Sequence, residues 1–246
     1  MTRPIQAEIF RAYDIRGKVN EEFFPPDAYS IGLVIGHRVL ASGRTNILLG
    51  RDGRLSSPEI KRHLQSGLLA SGCDVIDLGL TPTPVAYFAT DHLKVVDAVI
   101  VTASHNPGHY NGIKMVINNA PLSKEEIQDI YSSIYQKQFG VAEQAGKLTQ
   151  FDDILGDYTA AVVENITLKK TMKIAIDCGN GVTSLLAETL FRQLGCEVTP
   201  LFCELDGNFP NHSPDPTEPK NLIALQELVA HEKLDLGIAF DGDGDR

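Results

Sequence analysis

The stretch "DGDGDR" places three carboxylates at positions i, i+2 and i+4 with only glycine between them. The glycines let the backbone curl so that Asp241, Asp243 and Asp245 converge, which is unfavourable unless a cation neutralises them. Oxygen-only ligands indicate a hard ion, and three monodentate carboxylates leave room for a phosphate oxygen, which favours Mg²⁺. The alternatives are a solvated acidic turn and a calcium loop of the EF-hand type, although an EF-hand requires a preceding helix and here an apolar strand pattern precedes the loop.

A second stretch, "TASHNPGHYNGIK", presents Ser104 beside His105 on a loop rich in turn signals. Because Asn106-Pro107 and Asn111-Gly112 favour turns, no helix is expected for Ser104 to cap. The G-x-S-x-G pattern of a hydrolase nucleophile is absent. With Lys114 close in sequence, the loop suits a serine that accepts and returns a phosphoryl group while a nearby Mg²⁺ offsets the phosphate charge.

One further stretch is a candidate for binding phosphate, and another only resembles a phosphate-binding motif. "FRAYDIRG" carries Arg11, Tyr13 and Arg16, and in an acidic chain such an arginine pair ending at a glycine is a plausible phosphate-reading element. "DCGNGVTS", which begins at Asp177, reads G-x-G-x-x-S and lacks the third glycine of a dinucleotide site. A tight turn between a strand and a helix explains this second stretch.

Composition limits the classes of partner. The chain has 246 residues and a formal net charge of −10, which argues against a nucleic-acid partner. No apolar run approaches the length of a membrane-spanning helix, and the first residues do not resemble a signal peptide. The four cysteines form no C-x-x-C motif and lie in or beside apolar runs. Buried, reduced thiols in a cytoplasmic protein are therefore expected.

Residues 45–79 and 172–202 share one pattern: a short apolar strand, a turn containing Gly and Asp, an amphipathic helix, and Gly-Cys-acid-Val opening another strand. Each unit continues to a third apolar strand, at 97–101 and 235–240 respectively. The serine loop follows one of these strands and the three aspartates follow the other. Because ligands of open α/β sheets collect beyond the carboxyl ends of strands, the two loops are expected to face a shared cleft.

Helix boundaries and a domain boundary follow from capping chemistry. Ser57, and Thr183 or Ser184, are expected to cap the helices of the two units. Ser123, with a glutamate three residues later, predicts the start of a further helix. Residues 139–153 lack a sustained apolar period, which predicts a boundary near residue 150 and domains 1–150 and 151–246.

With these motifs in hand, the chain resembles the bacterial phosphomannomutase/phosphoglucomutase branch of the α-D-phosphohexomutase superfamily. The resemblance runs along the whole chain through "FRAYDIRG", "TASHNPGHYNGIKM", "DCGNG", "DGNFPNHSPDPTEPKNL" and "DGDGDR". It implies an α/β fold of two similar three-layer α/β/α domains, each with a mixed sheet. The first domain would carry a phosphoserine loop, and the second would end in the metal-binding loop without its last strand.

The resemblance also implies a role for each motif residue. The implied catalytic residues are Ser104 (the phosphoserine), His105, Arg16, Lys114 and Arg246. The implied substrate-binding residues are Tyr13 and Arg16. The implied Mg²⁺ ligands are Ser104, through its phosphate, Asp241, Asp243 and Asp245.

The implied reaction is reversible phosphoryl transfer between the 1- and 6-positions of mannose or glucose phosphates. It would use glucose 1,6-bisphosphate or mannose 1,6-bisphosphate as intermediate and activator, in a monomeric cytoplasmic enzyme. Family members continue into a sugar-recognising domain and a domain that grips the distal phosphate, so the chain is expected to be an inactive or weakly active N-terminal half. Phosphoglucosamine mutase, a calcium-dependent binding module and a phosphatase-like hydrolase are the alternative functions.

Overall fold

The computed structural model describes residues 3–246, which form an α/β structure with two sheets. The strands are β1 (Asp14–Lys18), β2 (Asn46–Arg51), β3 (Asp74–Leu80), β4 (Ala98–Val101), β5 (Tyr110–Ile117), β6 (Ala120–Pro121), β7 (Leu148–Gln150), β8 (Lys173–Asp177), β9 (Glu197–Leu201) and β10 (Leu236–Ala239). The helices are α1 (Asp27–Ala41), α2 (Ser57–Ala70), α3 (Thr83–His92), α4 (Lys124–Tyr135), α5 (Ile154–Asn165), α6 (Ala187–Gln193) and α7 (Ile223–Glu232). Short 3-10 turns span Ala7–Ile9, Val182–Leu185 and Pro219–Leu222.

The first sheet has the strand order β1-β5-β4-β2-β3-β7, with β6 paired to β5. It is mixed, because β5 runs antiparallel to both β1 and β4 while β2, β3, β4 and β7 pair in parallel. Alternate residues of β2 point to opposite faces, as the two-residue period of a strand requires. Ile47 packs in a core with α1, α2 and α4, whereas Leu48 packs in a second core with α3.

The second sheet repeats part of the first. Its order, β10-β8-β9, corresponds to β4-β2-β3: the third strand of the unit, then the first, then the second. The repeated strand–helix–strand unit predicted from the sequence is therefore confirmed, as is the α/β/α fold class. The expected mixed arrangement is present in the first sheet, but the three strands of the second all run parallel. Helices connect these strands, and a helical crossover returns the chain in the same direction.

Helix α5 packs between the two units. Ile154 of α5 lies in one apolar cluster with Leu48 of β2, Val85 of α3 and Leu190 of α6. This shared cluster fixes the orientation of the strand ends of one sheet relative to those of the other. The segment just before residue 150 belongs to the first sheet, because β7 pairs with β3. The domain boundary near residue 150 stays a prediction.

The predicted helix caps have different outcomes. Ser123 forms the expected capping box at the start of α4, so that prediction is confirmed. Ser57 is the first residue of α2 but does not cap it, because its hydroxyl donates to the carboxylate of Asp52 at 2.5 Å instead. Thr183 and Ser184 lie inside a 3-10 turn and cap neither it nor α6, so that prediction is wrong.

All four cysteines are free thiols, as expected. Cys73 and Cys178 are buried, whereas Cys196 and Cys203 are half-buried. Within residues 3–246, none of the helices has both the length and the apolar composition that crossing a bilayer requires.

Candidate active site

The serine loop and the aspartate loop follow corresponding strands of the two sheets. Strand β4 ends at Val101 and β10 at Ala239, each the third strand of its unit. Ser104 Oγ donates a hydrogen bond to Asp241 Oδ2 at 2.7 Å. The prediction that the two loops face each other is confirmed by this contact between residues far apart in the chain.

Ser104 is held in an unusual backbone conformation. Its φ is +52°, in the left-handed region that costs a residue with a side chain about 1–3 kcal/mol. The serine is 2% exposed, and its N–H donates to Thr102 Oγ1 at 2.9 Å. His105 Nδ1 lies 3.3 Å from the serine Oγ. The surrounding contacts must therefore supply the energy that keeps this hydroxyl in place.

Arg54 supplies most of those contacts. Its side chain is completely buried, and its two terminal nitrogens donate to four backbone carbonyls of the serine loop. The four acceptors are the carbonyl oxygens of Ser104 (2.7 Å), Asn106 (2.7 Å), Pro107 (2.8 Å) and Tyr110 (3.1 Å). The planar guanidinium therefore fixes the loop from within, an arrangement that lysine cannot reproduce.

Asp52 balances the charge of Arg54 and links it to helix α2. It accepts hydrogen bonds from Arg54 Nε at 3.0 Å and from the Ser57 hydroxyl at 2.5 Å. Asn111, on β5, donates to Ser57 Oγ at 2.9 Å and closes the network onto the far end of the serine loop. Buried polar groups are stable only when they are satisfied in this way.

The three aspartates converge. Single carboxylate oxygens of Asp241, Asp243 and Asp245 all lie within 4.8 Å of one another. Asp241 and Asp243 are fully buried, whereas Asp245 is more exposed. Asp241 Oδ1 accepts the backbone N–H groups of Gly244 at 2.9 Å, Asp245 at 3.1 Å and Arg246 at 3.2 Å, so the loop curls around this carboxylate.

One oxygen of Asp243 is saturated with donors and the other has none. Lys114 Nζ at 2.8 Å, Thr83 Oγ1 at 2.7 Å and Thr102 Oγ1 at 3.2 Å all donate to Asp243 Oδ2. Asp243 Oδ1 is buried with no hydrogen-bond partner among the residues that the structure describes. Burial raises the pKa of a carboxyl group, but Lys114 and the two hydroxyls outweigh burial and lower the pKa of Asp243.

The pKa of Asp241 shifts in the direction opposite to that of Asp243. Burial, together with the charge of Asp243, raises the pKa of Asp241 to about 7, although the Ser104 hydroxyl acts against that rise. An acceptor oxygen without a donor and a carboxyl group that resists ionisation both indicate missing positive charge. The donor set, three carboxylates without nitrogen or sulfur, therefore fits a hard divalent cation.

Arg16 and His105 extend the cluster on the serine side. Arg16 lies on β1, beside β5, and its Nη1 donates to Asn106 Oδ1 at 2.6 Å. It also pairs with Asp14, and its buried Nε has no hydrogen-bond partner within the described chain. Burial lowers the pKa of His105, and the positive charges of Arg246 and Arg16 lower it further. The charges of Arg16 and Arg246 thus disfavour the protonated form of His105, whose ring contacts the serine hydroxyl.

The remaining predicted residues differ in how they join the cluster. Arg246 is exposed, and it reaches the site through its backbone N–H to Asp241 and through its charge on His105. Tyr13 is 76% exposed, and no side-chain hydrogen bond involves it in the described part of the chain. The structure therefore brings Arg246 to the cluster but leaves Tyr13 at the surface.

Sequence reasoning missed Arg54 and the two threonines that bind Asp243. The available signal for Arg54 was the acidic residue at the end of the first strand of each repeat. In the structure Asp52 pairs with Arg54, and Asp177 pairs with His212 at 3.0 Å. Thr83 begins α3 and also donates its backbone N–H to the Asp243 carbonyl at 2.9 Å, a contact that no local pattern predicts.

Two family models match the chain. The model for phosphoglucomutase/phosphomannomutase, alpha/beta/alpha domain I, matches residues 7–140, and the model for domain II matches residues 156–246. The chain belongs to the phosphoglucomutase/phosphomannomutase family. The resemblance seen in the sequence motifs is therefore confirmed.

Similar proteins support the same assignment. A phosphomannomutase/phosphoglucomutase of Pseudomonas aeruginosa is 47% identical over 98% of this chain, and a phosphoglucomutase of Neisseria meningitidis is 45% identical over 98%. The solved structure of a phosphoglucomutase/phosphomannomutase family protein from Burkholderia thailandensis superposes with a TM-score of 0.93 at 41% identity, covering 98% of this chain. The chain spans about half the length of these relatives: 52% of both enzymes and 54% of the Burkholderia chain.

Replacement of Arg54 by alanine should free the serine loop. Arg54→Ala leaves the four carbonyls without their buried donor and Asp52 without its counter-ion, a loss of the kind that costs about 3–5 kcal/mol. We expect a corresponding fall in the free energy of unfolding in urea, and faster amide hydrogen exchange at residues 102–110. Arg62→Ala, on the exposed face of α2, the helix that follows Arg54 in the chain, is the matched control and should change stability by less than about 0.5 kcal/mol. Equal effects of the two substitutions would contradict the anchoring role of Arg54.

The raised pKa of Asp241 predicts a specific pH dependence of stability without metal. Between the ordinary pKa of aspartate and about 7, the folded state holds a proton on Asp241 that the unfolded state has released. The contribution of Asp241 to the free energy of unfolding is therefore favourable below this pH window and is lost as the pH rises through it. Asp241→Asn mimics the protonated form, so the variant should match the wild type near pH 4 and exceed its stability at pH 7. Urea unfolding of both proteins in chelator measures this difference, and a pH-independent difference would refute the prediction.

Proposed function

We propose that this chain carries the phosphoryl-transferring part of a phosphohexomutase, in which Ser104 alternates between a free hydroxyl and a phosphoserine. The observation that carries the proposal is the 2.7 Å hydrogen bond between Ser104 Oγ and Asp241 Oδ2, which unites the serine loop with the aspartate triad. Membership of the phosphoglucomutase/phosphomannomutase family supports it. The substrates in this proposal are hexose 1-phosphates and hexose 6-phosphates.

The charges around Ser104 suit a phosphoryl group that arrives and leaves. In the proposed step a bond forms between Ser104 Oγ and phosphorus, the bond from phosphorus to the sugar oxygen breaks, and the serine proton leaves. His105 Nδ1, 3.3 Å from the serine Oγ, is a neutral acceptor for that proton because its pKa is lowered. Lys114, Arg16 and Arg246 provide positive charge near the oxygens of the transferred group.

We assign Asp241, Asp243 and Asp245 as Mg²⁺ ligands, with the phosphate of Ser104 completing the set. The free Asp243 Oδ1 and the raised pKa of Asp241 support this assignment. When bound, the ion would neutralise charge that develops on the phosphoryl oxygens. Lys114 holds the opposite oxygen of Asp243, and so orients that carboxylate toward the metal position.

The finer features of the activity are part of the same proposal. We propose glucose 1,6-bisphosphate or mannose 1,6-bisphosphate as the phosphoryl donor to Ser104, and a monomeric, cytoplasmic protein with domains at 1–150 and 151–246. The two curated relatives differ in the sugars they are named for but are almost equally identical to this chain, so identity does not distinguish mannose from glucose. We also propose that these 246 residues alone turn over hexose phosphates weakly or not at all. Positioning of a substrate contributes about 7–11 kcal/mol to such a step, and the sugar- and distal-phosphate-binding domains expected of the family would supply it.

Incubation with glucose 1,6-bisphosphate and Mg²⁺ should add one phosphate to the chain, at Ser104. Ser104→Ala should abolish the addition while leaving the protein folded, since the hydroxyl makes hydrogen bonds to Asp241 and His105 and takes no part in the apolar clusters. Ser66→Ala, which alters an exposed serine on α2, is the matched control and should be phosphorylated normally. Intact-mass analysis with peptide mapping provides the measurement. Phosphate on another residue with Ser104 unmodified would refute the assignment.

Metal preference separates the mutase from a calcium-dependent binding module. We expect titration calorimetry to show Mg²⁺ binding by the wild-type protein, and Asp243→Asn to weaken it by at least about tenfold. Mg²⁺ should also raise the melting temperature of the wild type, as a ligand of the folded state does. Asp91→Asn changes a carboxylate that is 90% exposed and lies outside the triad, so this variant should bind Mg²⁺ like the wild type. Tight Ca²⁺ binding without Mg²⁺ binding would contradict the mutase assignment.

A further inference from the structure

Two cysteines lie side by side beneath the aspartate loop. The sulfur atoms of Cys178 and Cys203 are 3.3 Å apart. They meet because β8 and β9 are parallel neighbours with Asp177 opposite Leu201, and each cysteine follows the end of its strand. The backbone N–H of Cys178 donates to the Leu201 carbonyl at 3.2 Å, which holds the two segments together. The proposed phosphoryl transfer uses neither thiol.

The two thiols are not equivalent. Cys178 is fully buried, whereas Cys203 is half-buried and is therefore the one that a small solute can reach. The contact between the two sulfur atoms lowers the pKa of Cys203, and the same contact together with burial raises the pKa of Cys178. Because the thiolate is the reactive form of cysteine, Cys203 is the first nucleophile of the pair.

Two buried hydroxyls favour the thiolate form of Cys178, the second thiol of the pair. Thr183 Oγ1 and Ser184 Oγ are buried and have no hydrogen-bond partner within residues 3–246. Both act on Cys178 in the direction that favours its thiolate. A buried hydroxyl without a hydrogen-bond partner is unfavourable. A transient Cys178 thiolate would accept hydrogen bonds from both hydroxyls.

We propose that Cys178 and Cys203 form a reversible disulfide when a hydroperoxide reaches Cys203. The Cys203 thiolate attacks one peroxide oxygen, the O–O bond breaks, and Cys203 becomes a sulfenic acid while the other oxygen leaves as hydroxide or alkoxide and takes up a proton. The Cys178 sulfur, after releasing its proton, attacks the Cys203 sulfur and displaces the sulfenic oxygen as water. The peroxide is reduced by two electrons and the thiol pair is oxidised by two. A small thiol then reduces the disulfide back to two thiols by thiol–disulfide exchange.

Disulfide formation moves the turn that supports the aspartate loop. A disulfide bond is about 2.05 Å long, so the two sulfur atoms must approach by roughly 1.3 Å from their present separation. Cys178 opens a tight turn in which its carbonyl accepts the Gly181 N–H at 2.8 Å. The next residue, Val182, donates its N–H to the Gly242 carbonyl at 3.2 Å, and Gly242 lies between two of the aspartates.

A movement of this turn therefore reaches the carboxylates. The consequence for metal binding rests on the proposed function, whereas the disulfide itself does not. We expect oxidation to weaken Mg²⁺ binding on the order of tenfold, the effect that loss of a supporting contact has at metal sites.

The test is oxidation of the 246-residue chain by hydrogen peroxide in chelator, followed by denaturation, alkylation of free thiols and intact-mass analysis. We expect two of the four cysteines to lose reactivity, a peptide linking Cys178 to Cys203, and full recovery after dithiothreitol. Cys203→Ser should abolish this loss, whereas Cys196→Ser, a half-buried cysteine outside the pair, should retain it. Peptide mapping of the wild type keeps the test decisive if a variant fails to fold.

Four reactive thiols after peroxide treatment, or oxidation confined to Cys196 or Cys73, would overturn the proposal. Mg²⁺ titration of the reduced and oxidised proteins then tests the link to the aspartate loop. Weaker binding after oxidation supports that link, and unchanged binding by a protein whose disulfide has been mapped refutes it. Absence of Mg²⁺ binding in the reduced protein would count against the proposed function and leave the disulfide result standing.

Discussion

Two fully buried carboxylates, Asp241 and Asp243, lie beside the serine loop, and Asp241 accepts a hydrogen bond from the Ser104 hydroxyl. The surrounding structure offsets their charge. Removing a carboxylate from water is costly unless donors or cations replace the solvent. Lys114 and the threonine hydroxyls come from the first sheet and its helices, whereas the backbone N–H groups come from the aspartate loop itself. Neither unit satisfies this cluster alone. Even so, one oxygen of Asp243 has no donor within residues 3–246, which is the position where a cation belongs in the proposed mechanism.

The serine side of the site depends on a second buried charge. Arg54 binds four loop carbonyls and thereby stabilises Ser104 at a positive φ. Asp52 offsets the charge of Arg54 from the position just after β2, and Asp177, the last residue of β8, pairs with His212 at the corresponding strand end. The repeat has thus kept an acidic residue at both strand ends. In each unit that residue pairs with a basic side chain, an arginine in the first and a histidine in the second.

Contact between the loops also requires the two sheets to be held at a fixed angle. Helix α5 supplies this constraint, because Ile154 joins Val85 of α3 and Leu190 of α6 in one apolar cluster. Burial of each such side chain contributes about 1.5–3 kcal/mol, so the cluster is a substantial coupling between the units. The 2.7 Å contact between Ser104 and Asp241 is therefore a consequence of packing at some distance from the polar residues.

The sequence alone determined the repeated units, the strands that end at the two polar loops and the Ser123 cap, because periodicity, turn residues and capping boxes act over a few neighbouring positions. The same local reasoning failed for Ser57, whose hydroxyl the tertiary fold directs to Asp52 instead of to the helix end. Only the tertiary structure decided that Tyr13 stays exposed and that Arg54 anchors the serine loop. The reason is that hydrogen-bond partners and burial depend on residues many positions apart, which meet only when the whole chain packs.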